Sequence, residues 1–299
     1  MAAVDKVEND RLARKFERWD DMSDEYRTAA ARVAAFQSLA ELIGVLPFAD
    51  WIDRVPDFVR KQMLLAKVQD EVGHGHVMAR VAEDLGHSRE RILEDFALGR
   101  TKLLNIFHYE FRTWEELGPA ALLMNSAAIV QFQSLDQGTY LPYARALKKI
   151  EKEEGFHYHH ALDLTHQVLA EGTTAQRNLV QEAFETWFPR LLAYFGPPDS
   201  DTYHENTSWR FGLKVDSNDE IRQRWIAKMV PVFSELGVRV DPSLASYDEA
   251  AGMWDYVEVD WTETKRLINE GGPVYQRWVD HVSGSLERNR PYHDAALAA

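Results

Sequence analysis

Two short segments of this chain carry the same acid and base in the same order. One is Asp70-Glu71-Val72-Gly73-His74 and the other is Glu153-Glu154-Gly155-Phe156-His157. In a helix, residues three apart share a face, so Glu71 with His74, and Glu154 with His157, each present one carboxylate and one imidazole to the same side. Two such helices facing each other could hold two metal ions. A single segment of this kind usually marks a solvated face, and the duplication is what gives it weight. Dinuclear carboxylate bundles pair one Glu-x-x-His from each of two helices with one further carboxylate from each of the other two.

The search for those two carboxylates succeeds once. Glu41 stands in the apolar run Ser38-Leu39-Ala40-Glu41-Leu42-Ile43-Gly44, 30 residues before Glu71. Taken singly it reads as an acid at the rim of an apolar face. A pseudo-symmetric bundle puts the fourth ligand near residue 124, where the chain has Met124 and Asn125, with no Asp or Glu between Glu116 and Asp136. Asn125 offers a neutral carbonyl oxygen, so the site carries one negative charge fewer. Asp136 lies roughly 16 Å further along a helix and does not substitute. His76, His159 and His160 are spaced off the ligand face and read as surface or outer-layer residues. Asp70 and Glu153 are candidates to orient the ligand histidines, or simply face solvent.

Long helices must position these residues. Ser23 caps a helix expected to run to about Leu46, where Pro47 stops it. A second is expected over 56–85, ended by Gly86, and Ser88 caps a shorter one to Leu98. A third follows Pro119 to about Asp136. Pro142 opens a fourth, ended by Gly172, and 174–195 reads as a fifth. The pattern is all-α, a four-helix bundle in which strand signals are nearly absent. Residues 197–217 read as a loop, 218–236 as helix, 237–260 as acidic and irregular, and short helices finish the chain. The division expected is a metal-binding bundle over 20–196 and an extension packed on it over 197–299.

Composition narrows the chemistry. The 299 residues include 34 Lys and Arg against 48 Asp and Glu, a formal net charge of −14. That argues against nucleic acid and anionic membrane surfaces as partners. There is no Cys, which removes disulfides, thiolate zinc, iron–sulfur clusters and cysteine nucleophiles together. The uncharged run 117–135 is long enough to span a bilayer, but its Asn125, Ser126, Gln131, Gln133 and Ser134 fit a helix buried in a bundle better. The N-terminus is charged from residue 5 and shows no apolar leader, so a cytoplasmic protein is expected. Phosphate-loop, dinucleotide-binding, nucleophile-elbow and His-Glu-x-x-His motifs are all absent from the sequence.

At this point several blocks, in order from about residue 20 to 275, resemble the catalytic-subunit family of phenylacetyl-CoA 1,2-epoxidases. They are Ala40-Glu41-Leu42-Ile43-Gly44-Val45-Leu46-Pro47, the run from Leu65 to Gly75, Tyr143-Ala144-Arg145-Ala146, Lys152-Glu153-Glu154-Gly155-Phe156-His157, Phe195-Gly196-Pro197 and Asn218-Asp219-Glu220-Ile221-Arg222-Gln223-Arg224-Trp225. The resemblance implies a ferritin-like bundle with two non-haem iron ions and O2 as cosubstrate. It implies insertion of one oxygen atom into an aromatic ring held as a coenzyme A thioester. It also implies three partners: a flavin/iron–sulfur reductase, a small subunit, and a related but non-catalytic bundle subunit. The metal positions carry over to Glu41, Glu71, His74, Glu154 and His157. The family has Asp where this chain has Asn125, and reads Leu-Pro-Glu-Gly-Asn-Trp where this chain reads Leu46-Pro47-Phe48-Ala49-Asp50-Trp51. Loss of charge at both places would retune the metal pair, weaken one metal position or change the substrate. Two rival readings stand beside the oxygenase. One is a non-catalytic bundle subunit with an impaired site, and the other is an iron- or manganese-binding oxidase or storage protein.

Overall fold

The computed structural model describes residues 11–202, 207–239 and 241–298; the charged N-terminus over 1–10 lies outside them. The chain is a helical bundle. Helix α1 (Asp24–Gly44) is capped by the Ser23 hydroxyl, which accepts from the Tyr26 amide. Helix α2 (Phe58–Asp84) is capped by Asp57, and the short α3 (Arg89–Ala97) by Ser88. Helix α4 (Trp114–Leu135) starts at Thr113, α5 (Leu141–Glu171) has Pro142 in its first turn, and α6 (Thr174–Tyr194) opens on a reciprocal cap between Thr173 and Gln176. Each cap satisfies an amide that the first turn would leave without a partner.

The most intimate pairs are α4 with α5 and α1 with α2, and α2 and α5 join the two pairs. Small residues explain the approach of α1 and α2. Ala30, Ala31, Ala34 and Ala35 are buried on α1. Ser38 donates to the Gly75 carbonyl at 2.8 Å, and a Cβ at Gly75 would lie 2.6 Å from Leu42 Cγ. Helix α4 is buried along almost its whole length, as the polar residues in its apolar run suggest. One stretch, Asp24–Ala49, is long and apolar enough to cross a membrane by length and composition, and 61% of its window is buried inside the molecule.

Two expected boundaries move. Pro47 does not end the first helical region but sits in the first turn of a four-residue helical turn, Leu46–Ala49, a position where its missing N–H costs nothing. Helix α4 begins at Trp114, five residues before Pro119. The Glu116 carboxylate ties down that first turn, accepting from the Arg112 amide at 2.7 Å and from Trp187 Nε1 on α6 at 2.8 Å.

Beyond α6 the stretch expected as loop contains two four-residue helical turns, Asp199–Thr202 and Thr207–Arg210. Helix α7 (Asn218–Glu235) packs on the bundle through Trp225. Its indole donates to Ser126 Oγ on α4 at 2.8 Å and stacks on Phe188 of α6 with ring centroids 5.1 Å apart. An aromatic pair of this kind contributes about 0.5–1.5 kcal/mol beyond the area it buries. The segment expected to be irregular holds a small antiparallel hairpin, β1 (Ala245–Asp248) with β2 (Met253–Tyr256). Helix α8 (Trp261–Glu270) is short, whereas α9 (Tyr275–Ala298) runs 24 residues instead of the short helix expected. His108 anchors this end: its Nε2 donates to the Leu103 carbonyl at 3.2 Å and its Nδ1 accepts from the Gly272 amide at 3.0 Å.

Candidate metal centre

Helices α1, α2, α4 and α5 each bring one part of the predicted set to a common interior point. Glu41 comes from α1, Glu71 and His74 from α2, Asn125 from α4, and Glu154 and His157 from α5. Ligand atoms of Glu41, Glu71, His74 and Glu154 all lie within 4.8 Å of one another. His74, Asn125, Glu154 and His157 are at most 4% exposed, and Glu41 is half-buried rather than at an open rim.

The two histidines are held alike. His74 turns Nδ1 inward, 3.1 Å from Glu71 Oε2 and 3.4 Å from Glu154 Oε1, and its Nε2 meets Glu153 on α5 at 2.9 Å. His157 turns Nδ1 inward, 3.4 Å from Glu71 Oε1 and 3.5 Å from Glu154 Oε1, and its Nε2 meets Asp70 on α2 at 3.2 Å. Each imidazole is therefore oriented by the acid that precedes the glutamate of the opposite helix. In a neutral imidazole this pattern places the proton on Nε2 and turns the Nδ1 lone pair toward the cluster. His157 Nδ1 is buried without a well-formed hydrogen bond, its two carboxylate neighbours lying at the long end of reach.

The electrostatics follow from crowding carboxylates in a dry interior. Burial, reinforced by Glu71 and Glu154, holds the Glu41 carboxyl well above the usual carboxylate range. Burial pushes Glu71 up too, but the Lys67 ammonium, with the His157 and His74 imidazoles beside it, outweighs that and leaves it well below the range. Burial alone would lower His74; hydrogen bonds to Glu154 and Glu71 outweigh it and push the imidazole up to about 11. Oxygen and imidazole donors in this density suit a divalent ion such as iron or manganese.

Lys67 is the residue the sequence reading passed over. It is 3% exposed and bonds Glu71 Oε1, while its Nζ also donates to Asn125 Oδ1 at 3.1 Å. Its signal was a lysine one turn before Glu71 in an otherwise apolar stretch. Gln37, one turn before Glu41, donates to that carboxylate at 2.5 Å. The three outer histidines separate: His76 and His159 are exposed, whereas His160 is buried and its imidazole is pushed down to about 4 by burial, with Arg60 and Lys67 adding to it.

A cavity of about 70 Å³ opens beside the cluster, bounded by Glu41, Phe48, Phe107, Asn125, Phe132 and Tyr194. Through Phe36, Gln37, Leu104 and Tyr194 it adjoins an open groove of about 860 Å³. That groove carries Arg32, Arg210 and Lys214 among apolar Phe195 and Phe211, with Asp24 and Glu25 at its edge. Burial pushes the Lys214 ammonium down to about 8, against the pull of Asp199 and Asp216.

Four long helices around a carboxylate–histidine cluster define a ferritin-like bundle. The chain belongs to the phenylacetic acid catabolic protein family, whose sequence profile matches residues 4–270. It is similar to one of the subunits of the 1,2-phenylacetyl-CoA epoxidase of Escherichia coli K12, at 38% identity over 281 residues, which cover 93% of this chain and 90% of that protein.

Proposed function

We propose that this chain is the oxygen-activating subunit of a multicomponent oxygenase that inserts one atom of O2 into the aromatic ring of an aryl-CoA thioester. The observation that carries the reading is the buried Glu41–Glu71–His74–Glu154 cluster at the end of a groove with cationic walls. Iron bound by these residues would supply the O2 chemistry, and manganese suits the same donors. What the chain itself does is bind, orient and exclude water. The exposed Arg32 and Arg210 suit the phosphates of a coenzyme A moiety. The gate formed by Phe36, Leu104 and Tyr194 suits the narrow thioester arm. Phe107, Phe132 and Phe48 give the ring an apolar seat. The seat is smaller than the ~150 Å³ cavity known to accept benzene, so the ring enters only as these side chains shift.

With no cysteine, the chain has no ligand for an iron–sulfur cluster, and electrons must arrive from another protein, in keeping with a reductase and companion subunits in the cytoplasm. One observation favours the alternative of a companion subunit with an impaired site: Asn125 and the Lys67 ammonium stand where a second ion needs negative charge.

The test is O2 uptake by the iron-loaded chain with reductase and companion subunits. Phenylacetyl-CoA should stimulate uptake and free phenylacetate should not, and Arg210→Met should raise KM for the thioester with little change in kcat. Uptake indifferent to every aryl-CoA, in protein that retains its metal, would contradict the assignment.

A further inference from the structure

The two halves of the cluster are not equivalent. Glu41, Glu71, His74 and Glu154 converge within 4.8 Å. The other half needs Glu71, Asn125, Glu154 and His157, and there a cation is already in place. The Lys67 ammonium has three N–H groups and three partners: Glu71 Oε1, Asn125 Oδ1 at 3.1 Å, and the face of Phe48 with its centroid 4.8 Å away. The same Glu71 Oε1 lies 3.4 Å from His157 Nδ1, so the oxygen that would bridge to an ion beside His157 is committed to the lysine. Asn125 completes the arrangement. Its neutral oxygen accepts from Lys67 while its amide nitrogen is buried without a partner, and it adds no charge to attract a metal in the lysine's stead.

We propose that Lys67 is the resident cation of the second half of the centre. The chain as folded takes up one divalent ion at Glu41, Glu71, His74 and Glu154, and a second enters at Glu71, Asn125, Glu154 and His157 only by displacing the lysine. This rests on the metal-binding reading above. It makes this chain's centre asymmetric and gives Lys67 control of the step from a mononuclear to a dinuclear state.

The test is anaerobic titration of the metal-free full-length chain with Co²⁺, followed by its visible absorption, with Mn²⁺ loading read by electron paramagnetic resonance. Wild type should bind about one equivalent tightly, with the second weaker by roughly 10- to 100-fold, and should show uncoupled Mn²⁺. Lys67→Met should bind about two equivalents tightly and show exchange-coupled Mn²⁺. Lys67→Arg, which keeps the charge, should stay at one. Two tight equivalents in wild type would overturn the proposal and leave the metal centre standing, and this measurement decides even if Lys67→Met fails to fold. One equivalent in folded Lys67→Met would also overturn it and assign the asymmetry to Asn125 alone. No binding to wild type or variant would overturn both this proposal and the metal-binding reading beneath it.

Discussion

Each site histidine spends one nitrogen on an acid from the opposite helix and turns the other inward. The crossing pairs, His74 with Glu153 and His157 with Asp70, tie α2 to α5 at the level of the cluster. Asp70→Ala should free His157 to rotate and weaken metal affinity by about 10- to 100-fold, whereas Asp70→Asn, which can still accept a hydrogen bond, should lose less. Competition against a chelator of known affinity reads this, and equal affinities for wild type and Asp70→Ala would mean that packing alone holds the ring. The Glu-x-x-His pairs were legible in the sequence because the helix repeat places them locally. Glu41 was legible because an acid in an apolar run must find a partner. Lys67 was not, since a lysine on a long helix ordinarily reaches solvent, and only the meeting of α2 with α4 shows that Nζ ends at Asn125.

At the scale of elements, the cluster depends on how close α1 and α2 come. Gly75 sits where a Cβ would press on Leu42 and on the Ser38 carbonyl at 3.2 Å, so α1 approaches over a bare backbone. Gly75→Ala should cost about 1–3 kcal/mol through overpacking. It should lower the thermal midpoint measurably, and an unchanged midpoint would show that Leu42 yields freely. Most helix starts were readable from their caps, as at Ser23 and Ser88. The proline signals misled at Pro47 and Pro119, because the cost of a proline depends on where in a helix it falls. The hairpin at 245–256 gave no warning, since two four-residue strands with one buried side chain between them are too short for an apolar alternation to register.

At the scale of the whole molecule, a chain of net charge −14 sets Arg32 and Arg210 along one groove and brings Glu41, Glu71 and Glu154 together inside. It also buries His160 in neutral form. The imidazole's ordinary value is 6.5 and burial lowers it to about 4, so the unfolded chain binds more protons in between, and stability falls as pH is lowered through that window. The loss from this group approaches about 3 kcal/mol below pH 4 and is absent above 6.5. His160→Leu should therefore flatten part of the acid limb of the wild-type denaturation curve between those values, and parallel curves for the two proteins would show that His160 does not drive it.

The proposed oxygenase activity joins the cluster to the groove: oxygen from O2 should end on the ring of a bound thioester. Its most direct test is mass analysis of phenylacetyl-CoA after incubation under ¹⁸O2 with the iron-loaded chain, the proposed companion subunits and a reductase. The expected product carries one oxygen atom from O2 on the ring, and none forms when Glu154→Ala replaces wild type. Thioester recovered unlabelled from protein that retains its iron and consumes O2 would contradict the proposed activity.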